Sequence, residues 1–220
     1  MKALRACAAM LASLLAGCTT IEPARLPDTL AATLRGQDVG IVIQQPSTFG
    51  VMRERDVPLG PLGIPLMAAQ GEHLRKSANI GDPAEDIATA LADLLAGRHG
   101  AAILPGRGTT SREEPEAIAA AAPAGSRYVL AVATVSWGLA RFPIRGAAYS
   151  VTYVARARLI DARTQAVIAE GGCMQPPDGT EHESTAYADF TDQDAMLIKT
   201  ELAARVDRCV HFIRRDMLGL

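Results

Sequence analysis

Residues 15 to 18 read Leu-Ala-Gly-Cys and close a short N-terminal segment that has a basic start and an apolar middle. Lys2 and Arg5 supply the basic start, and an apolar run from Ala6 to Ala16 follows. This pattern is typical of a secretion signal, and its apolar run is too short to span a bilayer as a helix. We therefore expect the rest of the chain to fold outside the cytoplasm, where disulfides persist. Its length suits a single domain of ordinary size.

Cys18 directly follows small residues, and this arrangement resembles the cleavage and lipidation site of bacterial lipoproteins. The resemblance implies that residues 1–17 are removed as a signal peptide and that Cys18 carries the acyl chains, palmitate among them. The alternative is an ordinary signal peptide whose cysteine is incidental. The residue after Cys18 is Thr19. An Asp at that position would resemble the signal that retains enterobacterial lipoproteins in the inner membrane. We therefore expect a lipid anchor at the periplasmic face of the outer membrane.

Charge and hydropathy exclude several classes of protein. The full chain has 22 basic and 24 acidic residues, so loss of Lys2 and Arg5 leaves 20 against 24 and a net charge of −4. A chain with this net negative charge does not attract the phosphate backbone, so we expect no nucleic-acid partner. The mature sequence also has no second apolar run long enough to span a bilayer.

Two cysteines remain once Cys7 leaves with the signal and Cys18 is lipidated. These are Cys173 and Cys209, and in an oxidising compartment we expect them to pair. The bond would close a loop of about 37 residues, which stabilises the fold by roughly 4 kcal/mol in the chain-entropy model. The alternative is two buried free thiols.

Pro23 and Pro27 discourage a long helix, so we expect residues 18–37 to form a tether, which the lipoprotein resemblance makes a lipidated one. The length of the remainder predicts one periplasmic domain at residues 38–220. Runs rich in Val, Ile and Ala predict five strands, at 39–44, 101–104, 127–137, 148–161 and 165–174. Apolar residues at three- and four-residue steps predict helices at 82–98 and 191–218, with a shorter helix at 113–122. Asp82 can cap the first of these helices. Residues 45–82 hold four prolines that forbid regular ladders for most of the stretch, so we expect a long loop there, with room for short pieces of regular structure.

This order of elements predicts an α+β fold in two layers. A mostly antiparallel sheet of about five strands would carry helices on one face, in a single domain. Within residues 148–161, the face that carries Arg156 and Arg158 is the wetter one, so we expect it to meet solvent or a partner. Asp161 opens a turn in which its carboxylate can accept bonds from the backbone amides ahead of it.

Three segments resemble a known group of proteins: Asp82-Pro-Ala-Glu-Asp-Ile-Ala, Tyr128-Val-Leu-Ala-Val-Ala-Thr-Val-Ser-Trp137 and Ala157-Arg-Leu-Ile-Asp-Ala-Arg-Thr164. Together they resemble periplasmic lipoproteins related to the curli-secretion lipoprotein and the penicillin-binding-protein activators. In those proteins an LxDxxT hairpin joins two long strands, and the fold resembles the N-terminal domain of TolB. The resemblance covers about residues 38–217, with Gln165 where such hairpins often have Gly. The group holds secretion pores, synthase activators and uncharacterised lipoproteins, so the resemblance does not fix a function.

Catalytic and metal-binding motifs are missing from the sequence. There is no Gly-x-Ser-x-Gly, no phosphate-binding Gly-Lys-Ser/Thr and no His-Glu-x-x-His. Asp178 with Glu181, His182 and Glu183 could bind a cation, but such a cluster is more often a solvated loop. We therefore expect no catalytic residue, no metal and no cofactor.

These observations favour a membrane-anchored, non-enzymatic accessory lipoprotein that binds another envelope protein. One alternative is a subunit of an oligomeric export channel, which would make the chain a homo-oligomer; the sequence offers no clear pair of lipid-facing strands for a barrel. The other alternative is an envelope hydrolase, for which no recognisable nucleophile arrangement is present.

A partner contact is predicted in the hairpin loop that spans residues 138–147. Apolar side chains on a loop tip are costly to leave in water, and aromatic residues with Arg are enriched at interface centres. The alternative is that the loop folds back over the sheet and buries its aromatic residue. The candidate contact residues are Leu139, Arg141, Phe142 and Ile144.

The lipidation hypothesis predicts that Cys18→Ala abolishes acylation and release of residues 1–17 at Cys18. Labelled palmitate incorporation and the mass of the purified protein measure this directly, and detergent phase partitioning measures the loss of the acyl anchor. A Cys18→Ala protein that still incorporates palmitate would place the anchor elsewhere.

Overall fold

A six-stranded mixed sheet forms the centre of the structure, a computed structural model that describes residues 21, 23–141, 149–175 and 186–220. The strands are β1 (Asp38–Gln44), β2 (Gly50–Val51), β3 (Ala102–Thr110), β4 (Tyr128–Arg141), β5 (Tyr149–Asp161) and β6 (Val167–Gln175). Their order is β3-β1-β4-β5-β6, and the short β2 pairs with β4 beyond the end of β1.

Six α-helices accompany the sheet in the described ranges, together with shorter 3-10 and π segments. The α-helices are α1 (Asp28–Thr33), α2 (Gly63–Ser77), α3 (Ala84–His99), α4 (Pro115–Ala121), α5 (Tyr187–Thr191) and α6 (Met196–Ile213). A 3-10 helix at Glu54–Leu62 precedes α2, another at Gln193–Ala195 precedes α6, and a π segment at Arg214–Leu218 ends the chain. None of the described helices combines the length and hydropathy that a membrane-spanning helix requires.

The predicted α+β fold is confirmed. The antiparallel pairings β4–β5 and β5–β6 join more residues than the parallel pairings of β1 with β3, β1 with β4 and β2 with β4. The parallel half was not expected from the sequence. It arises because the connections on both sides of β3 contain helices, which lets β3 and β4 each return parallel to β1.

Two apolar layers cover the sheet. The larger core includes the apolar side of α3 and of α6, whose buried residues recur at the predicted helical spacing. The opposite face carries the short α4, and this smaller cluster consists of Val42, Ile118, Val129, Ala131 and Ile160. The helices are therefore concentrated on one face, as predicted, while α4 is an addition on the other.

Residues 45–82 depart most from the sequence prediction, since β2, the 3-10 helix and α2 occupy most of the expected loop. Pro65 lies in the first turn of α2, where a missing N–H costs no helical hydrogen bond. Gly71 allows close packing of α2 on β2, because a Cβ at that position would lie 1.9 Å from the carbonyl oxygen of Phe49. Proline therefore ruled out long strands in this stretch without ruling out a helix.

The N-terminal segment belongs to the domain from Ala24 onward and is not a free tether up to residue 37. The backbone N–H of Ala24 donates to the Glu170 carbonyl, and the Glu170 N–H donates to the Ala24 carbonyl, both at 2.8 Å. Leu26 is buried, and its N–H donates to the Met217 carbonyl at 2.8 Å. These bonds pair the segment antiparallel with the outer edge of β6.

The turn between β5 and β6 forms as predicted. Oδ1 of Asp161 accepts hydrogen bonds from the backbone N–H groups of Arg163 and Thr164, at 2.9 and 3.2 Å. The Arg127 guanidinium forks onto the same carboxylate and lowers the pKa of Asp161 to about 2. Gln165 adopts a φ of 59°, the left-handed conformation for which Gly is the usual residue.

Cys173 and Cys209 form a disulfide in the structure, with their Cα atoms 5.2 Å apart. Cys173 lies near the end of β6 and Cys209 lies in the buried stripe of α6, so the bond fixes α6 to the edge of the sheet.

We predict that non-reducing peptide mapping of periplasmic protein will show the Cys173 and Cys209 peptides joined. The paired variant Cys173→Ala/Cys209→Ala should lose about 2–4 kcal/mol of unfolding free energy, as expected for loss of a loop-closing bond. Urea unfolding of the oxidised wild type and the variant checks the loss. Alkylatable thiols at both positions in the native protein would contradict the pairing.

Candidate functional site

The structure describes two of the four residues of the predicted partner contact, Leu139 and Arg141. Phe142 and Ile144 lie outside the described residues. Leu139 is 1% exposed within β4 and pairs with Val151, so its side chain is not available to a partner. β4 continues past the predicted loop start because β2 pairs with its other edge at this level. Arg141 is the last residue of β4 and is partly buried.

The remaining predicted positions are distributed as follows. Cys18 and the candidate cation ligands at 178 and 181–183 lie outside the described residues. Within the described ranges, no three His, Cys, Asp or Glu side chains are grouped so as to hold a metal ion.

A groove lies between the start of α3 and the middle of α6, beside the partly buried carboxylate of Asp82. Its volume is about 300 Å³. Residues from the turn before α3 and from its first turn form one wall, and four residues on one side of α6 form the other. The lining, which we call the α3–α6 groove, consists of residues 80–83, Glu85, Asp86, Lys199, Leu202, Ala203 and Val206.

Asp82 lies where this groove meets the sheet. Its Oδ1 accepts a hydrogen bond from the backbone N–H of Ala84 at 3.0 Å, which is the helix-capping bond that the sequence predicts. The same oxygen accepts a hydrogen bond from the hydroxyl of Thr134 on β4. Its Oδ2 is buried without a hydrogen-bond partner among the described residues. Burial raises the pKa of Asp82, and the bonds from Thr134 and Ala84 oppose that shift.

Thr134 continues the polar chain into the core. Its hydroxyl lies 3.2 Å from the hydroxyl of Tyr153, which is fully buried on β5. Burial raises the pKa of Tyr153 well above its ordinary value, so the phenol stays protonated. The chain Asp82–Thr134–Tyr153 thus contains one carboxyl group and two hydroxyl groups without an imidazole or amine base. These groups can attach α3 to the sheet through hydrogen bonds, but they provide no base that would activate a nucleophile.

The charged lining of the groove consists of two exposed carboxylates and the ammonium group of Lys199, and its floor is apolar. Glu85 and Asp86 lie exposed in the first turn of α3, where the positive end of the helix dipole stabilises carboxylates. Leu202 and Val206 contribute buried apolar surface from α6. This combination can accept a side chain with an apolar stem and a positively charged end.

Arginines occupy the opposite face of the sheet, where the sequence predicts contact with solvent or a partner. Arg158 is buried, and its Nη2 donates to Oε1 of Gln44 at 3.2 Å and to the Glu113 carbonyl at 2.9 Å. Arg156 pairs with the Glu113 carboxylate at 2.9 Å. Both guanidinium groups therefore hold the segment before α4 against the sheet, and that segment covers part of the face.

Sequence reasoning identified Asp82 as a helix cap and missed its link to the sheet. One signal was available: Thr134 is a hydroxyl residue between Ala133 and Val135 in an otherwise apolar strand. A buried hydroxyl needs a partner, but the sequence does not say which residue supplies it.

Comparison with known proteins does not assign the chain to a family. No family model matches the sequence, and no curated protein matches it. Among solved structures, a PelC dodecamer from Paraburkholderia phytofirmans is 16% identical over 90% of this chain and 96% of that chain, with a TM-score of 0.34. A lipoprotein from Neisseria meningitidis is 14% identical over 77% of this chain and 96% of that chain, with a TM-score of 0.25. Scores below 0.5 do not establish a shared fold, so the family resemblance stays a prediction.

We predict that Thr134→Val destabilises the protein by about 1–3 kcal/mol, because it leaves the Asp82 carboxylate and the Tyr153 hydroxyl without their shared partner. Urea unfolding at neutral pH measures the change. Thr109→Val, at an exposed position of β3, is the matched control and should change stability by less than about 0.5 kcal/mol. Equal effects at the two positions would show that the polar chain does not fasten α3.

Proposed function

We propose that this chain is a lipid-anchored lipoprotein at the periplasmic face of the outer membrane, and that it binds another envelope protein without catalysing a reaction. The α3–α6 groove is the observation that carries the binding part of this proposal. It joins an apolar floor to two exposed carboxylates and one ammonium group, that of Lys199, so the charge at its exposed edge is net negative and suits a Lys or Arg side chain at an interface.

The sequence supplies the support for anchoring. The Leu15-Ala-Gly-Cys18 segment resembles a lipoprotein processing site, and pairing of Cys173 with Cys209 fits a chain that folds in an oxidising compartment. Anchoring keeps the domain next to the membrane. A partner held in the same membrane then meets the groove at a high effective concentration.

The arrangement of the buried polar groups favours binding over catalysis. A hydrolase that uses a Ser or Cys nucleophile needs an adjacent base and a third group that orients the base. In the described part of the groove, the carboxylate of Asp82 is already engaged by Thr134 and by the backbone of α3. Its neighbours Glu85 and Asp86 are exposed and share the same charge, so they suit recognition of a cation.

The proposal predicts that Asp86→Lys disrupts binding without disrupting the fold. Asp86 lines the groove and is exposed, so charge reversal there should repel a basic partner residue and cut recovery of a crosslinked partner at least tenfold. Asp93→Lys makes the same charge change at an exposed position further along α3 and should leave recovery unchanged.

The measurement is quantitative mass spectrometry of crosslinked complexes purified from native envelopes, with the melting temperature of each variant as the control for folding. Equal recovery with Asp86→Lys and Asp93→Lys would remove the groove from the interface. Absence of any specific crosslinked protein with the wild type would contradict the binding function itself.

A further inference from the structure

Apolar side chains are exposed together along residues 58–66, which span the end of the first 3-10 helix and the start of α2. Leu62 is 84% exposed and Ile64 is 62% exposed, and Leu59 and Leu66 are also exposed. The whole stretch from Val57 to Gly71 contains no charged residue. We call residues Pro58–Leu66 the apolar prominence. Exposed apolar side chains grouped in this way mark a surface that contacts a partner or a membrane.

The prominence is held firmly at its base. Asp56 is buried, and its carboxylate accepts a hydrogen bond from the backbone N–H of Arg53 at 3.2 Å. At the other side, Gly71 packs directly on the carbonyl of Phe49. Charged residues appear on α2 only after this contact, where Glu72 pairs with Arg75 at 2.8 Å. The apolar character is therefore confined to the part of α2 that projects from the sheet.

The connections of the prominence place it at one end of the sheet. Gly50 and Val51 of β2 pair with Gly138 and Leu139, close to Arg141, where β4 ends. We call this end of the sheet the Arg141 end. The middle of α2 lies beside β2, because Gly71 contacts Phe49. After α2 the chain reaches Asp82, which bonds to Thr134, four residues before Gly138 on β4. From its middle onward, α2 therefore runs away from the Arg141 end. The first turns of α2 and the 3-10 helix before it consequently project toward the Arg141 end.

The N-terminal segment approaches the same end of the sheet at Ile21. β4 and β6 are both antiparallel to β5, so β6 also ends, at Gln175, toward the Arg141 end. The segment around Ala24 is antiparallel to β6, and Ile21 lies beside Gly172. Ile21 therefore lies closer to the Arg141 end than Ala24 does.

The length of chain between Ile21 and Cys18 limits how the domain can be oriented on a membrane. Cys18 is three residues before Ile21, a span of about 10 Å at most. Gly172 pairs with Arg156, and the seven residues of β5 from there back to Tyr149 cover more than about 20 Å toward the Arg141 end. If Cys18 carries the acyl chains, the link from Ile21 to the lipid is shorter than the distance by which β5 extends past Ile21 toward the Arg141 end. An anchored domain then reaches the bilayer with its Arg141 end.

We propose that the apolar prominence inserts into the interfacial region of the same phospholipid leaflet that holds the acyl chains of Cys18. This inference rests on the lipid anchor of the proposed function and adds a second, non-covalent contact with the membrane. An apolar surface contact adds to the attachment that the acyl chains provide, and it fixes the orientation of the domain relative to the bilayer. Insertion also desolvates no charged side chain, since the prominence has none.

Site-specific labelling tests the proposal. Leu62→Cys and Thr164→Cys are each labelled with an environment-sensitive nitrobenzoxadiazole dye in lipidated protein reconstituted into phosphatidylethanolamine–phosphatidylglycerol vesicles. Thr164 is the matched control, because it is exposed in the β5–β6 turn at the opposite end of the sheet. We expect the dye at position 62 to shift to the blue and to be quenched at least twofold by doxyl-labelled lipids, and the dye at position 164 to show neither effect.

Vesicle flotation of the non-acylated mature chain, residues 18–220 with Cys18→Ser, tests the prominence independently of the anchor. Leu62→Glu/Ile64→Glu should reduce binding to the same vesicles at least tenfold, because two exposed apolar side chains no longer enter the lipid. Thr164→Glu should leave binding unchanged. Both variants change exposed positions, and their melting temperatures check that the fold is retained.

The outcomes distinguish the inference from the proposed function. Membrane attachment of the acylated protein with no blue shift and no quenching at position 62 would overturn insertion and leave the anchor intact. A blue shift that depends on protein concentration and is insensitive to doxyl lipids would assign the prominence to contact with a second copy of the chain, which also overturns insertion. Absence of acylation, with lipid quenching at position 62 and flotation of the Cys18→Ser chain, would support insertion and overturn the anchor.

Discussion

β4 is paired on both edges and covered on both faces, and the positions of the other elements follow from that burial. The side chains of Leu130 and Val132 face the core that α3 and α6 complete, while Val129 and Ala131 face the small cluster around α4. A strand in this position must be apolar on both sides, which explains the near-continuous run of Val, Leu and Ala from residue 129 to 133. Because its backbone groups are used on both edges, β4 also aligns β1 and β2 on one side with β5 on the other.

Polar groups within this apolar layer fix the position of the helices. Thr134 interrupts the apolar run of β4 and places its hydroxyl between Asp82 and Tyr153. The first turn of α3 is thereby attached to the sheet, and the α3–α6 groove lies beside that attachment. The disulfide between Cys173 and Cys209 fixes α6 to β6 in the same layer. The two walls of the groove are thus held by different constraints, one by a polar chain and the other by a covalent bond, so the shape of the groove is set before a partner arrives.

The distribution of surface chemistry gives the domain two distinct regions. The groove combines carboxylates with an apolar floor on the helical face. The apolar prominence lies at the Arg141 end, which the N-terminal segment also approaches at Ile21. In the orientation that we propose, the Arg141 end meets the lipid and the β5–β6 turn, with its Arg127–Asp161 pair, points into the periplasm. The groove then faces sideways, along the membrane, where a partner anchored in the same membrane would meet it.

The sequence by itself determined the features that depend on local chemistry. Periodicity located α3, α6 and the five longer strands, and the Asp161 turn was predictable because a carboxylate bonds to amides only two and three residues ahead. Cysteine counting found the disulfide pair. The tertiary structure decided whatever depends on contacts between distant segments. It made β1 parallel to two neighbours, and it buried Leu139 because β2 extends the sheet beside it. It also formed α2 within a proline-rich stretch, because Gly71 permits a close approach to Phe49. The groove belongs to this second group, since Asp82, Thr134 and Val206 are far apart in the chain and only the packing of α3 and α6 on the sheet brings them together.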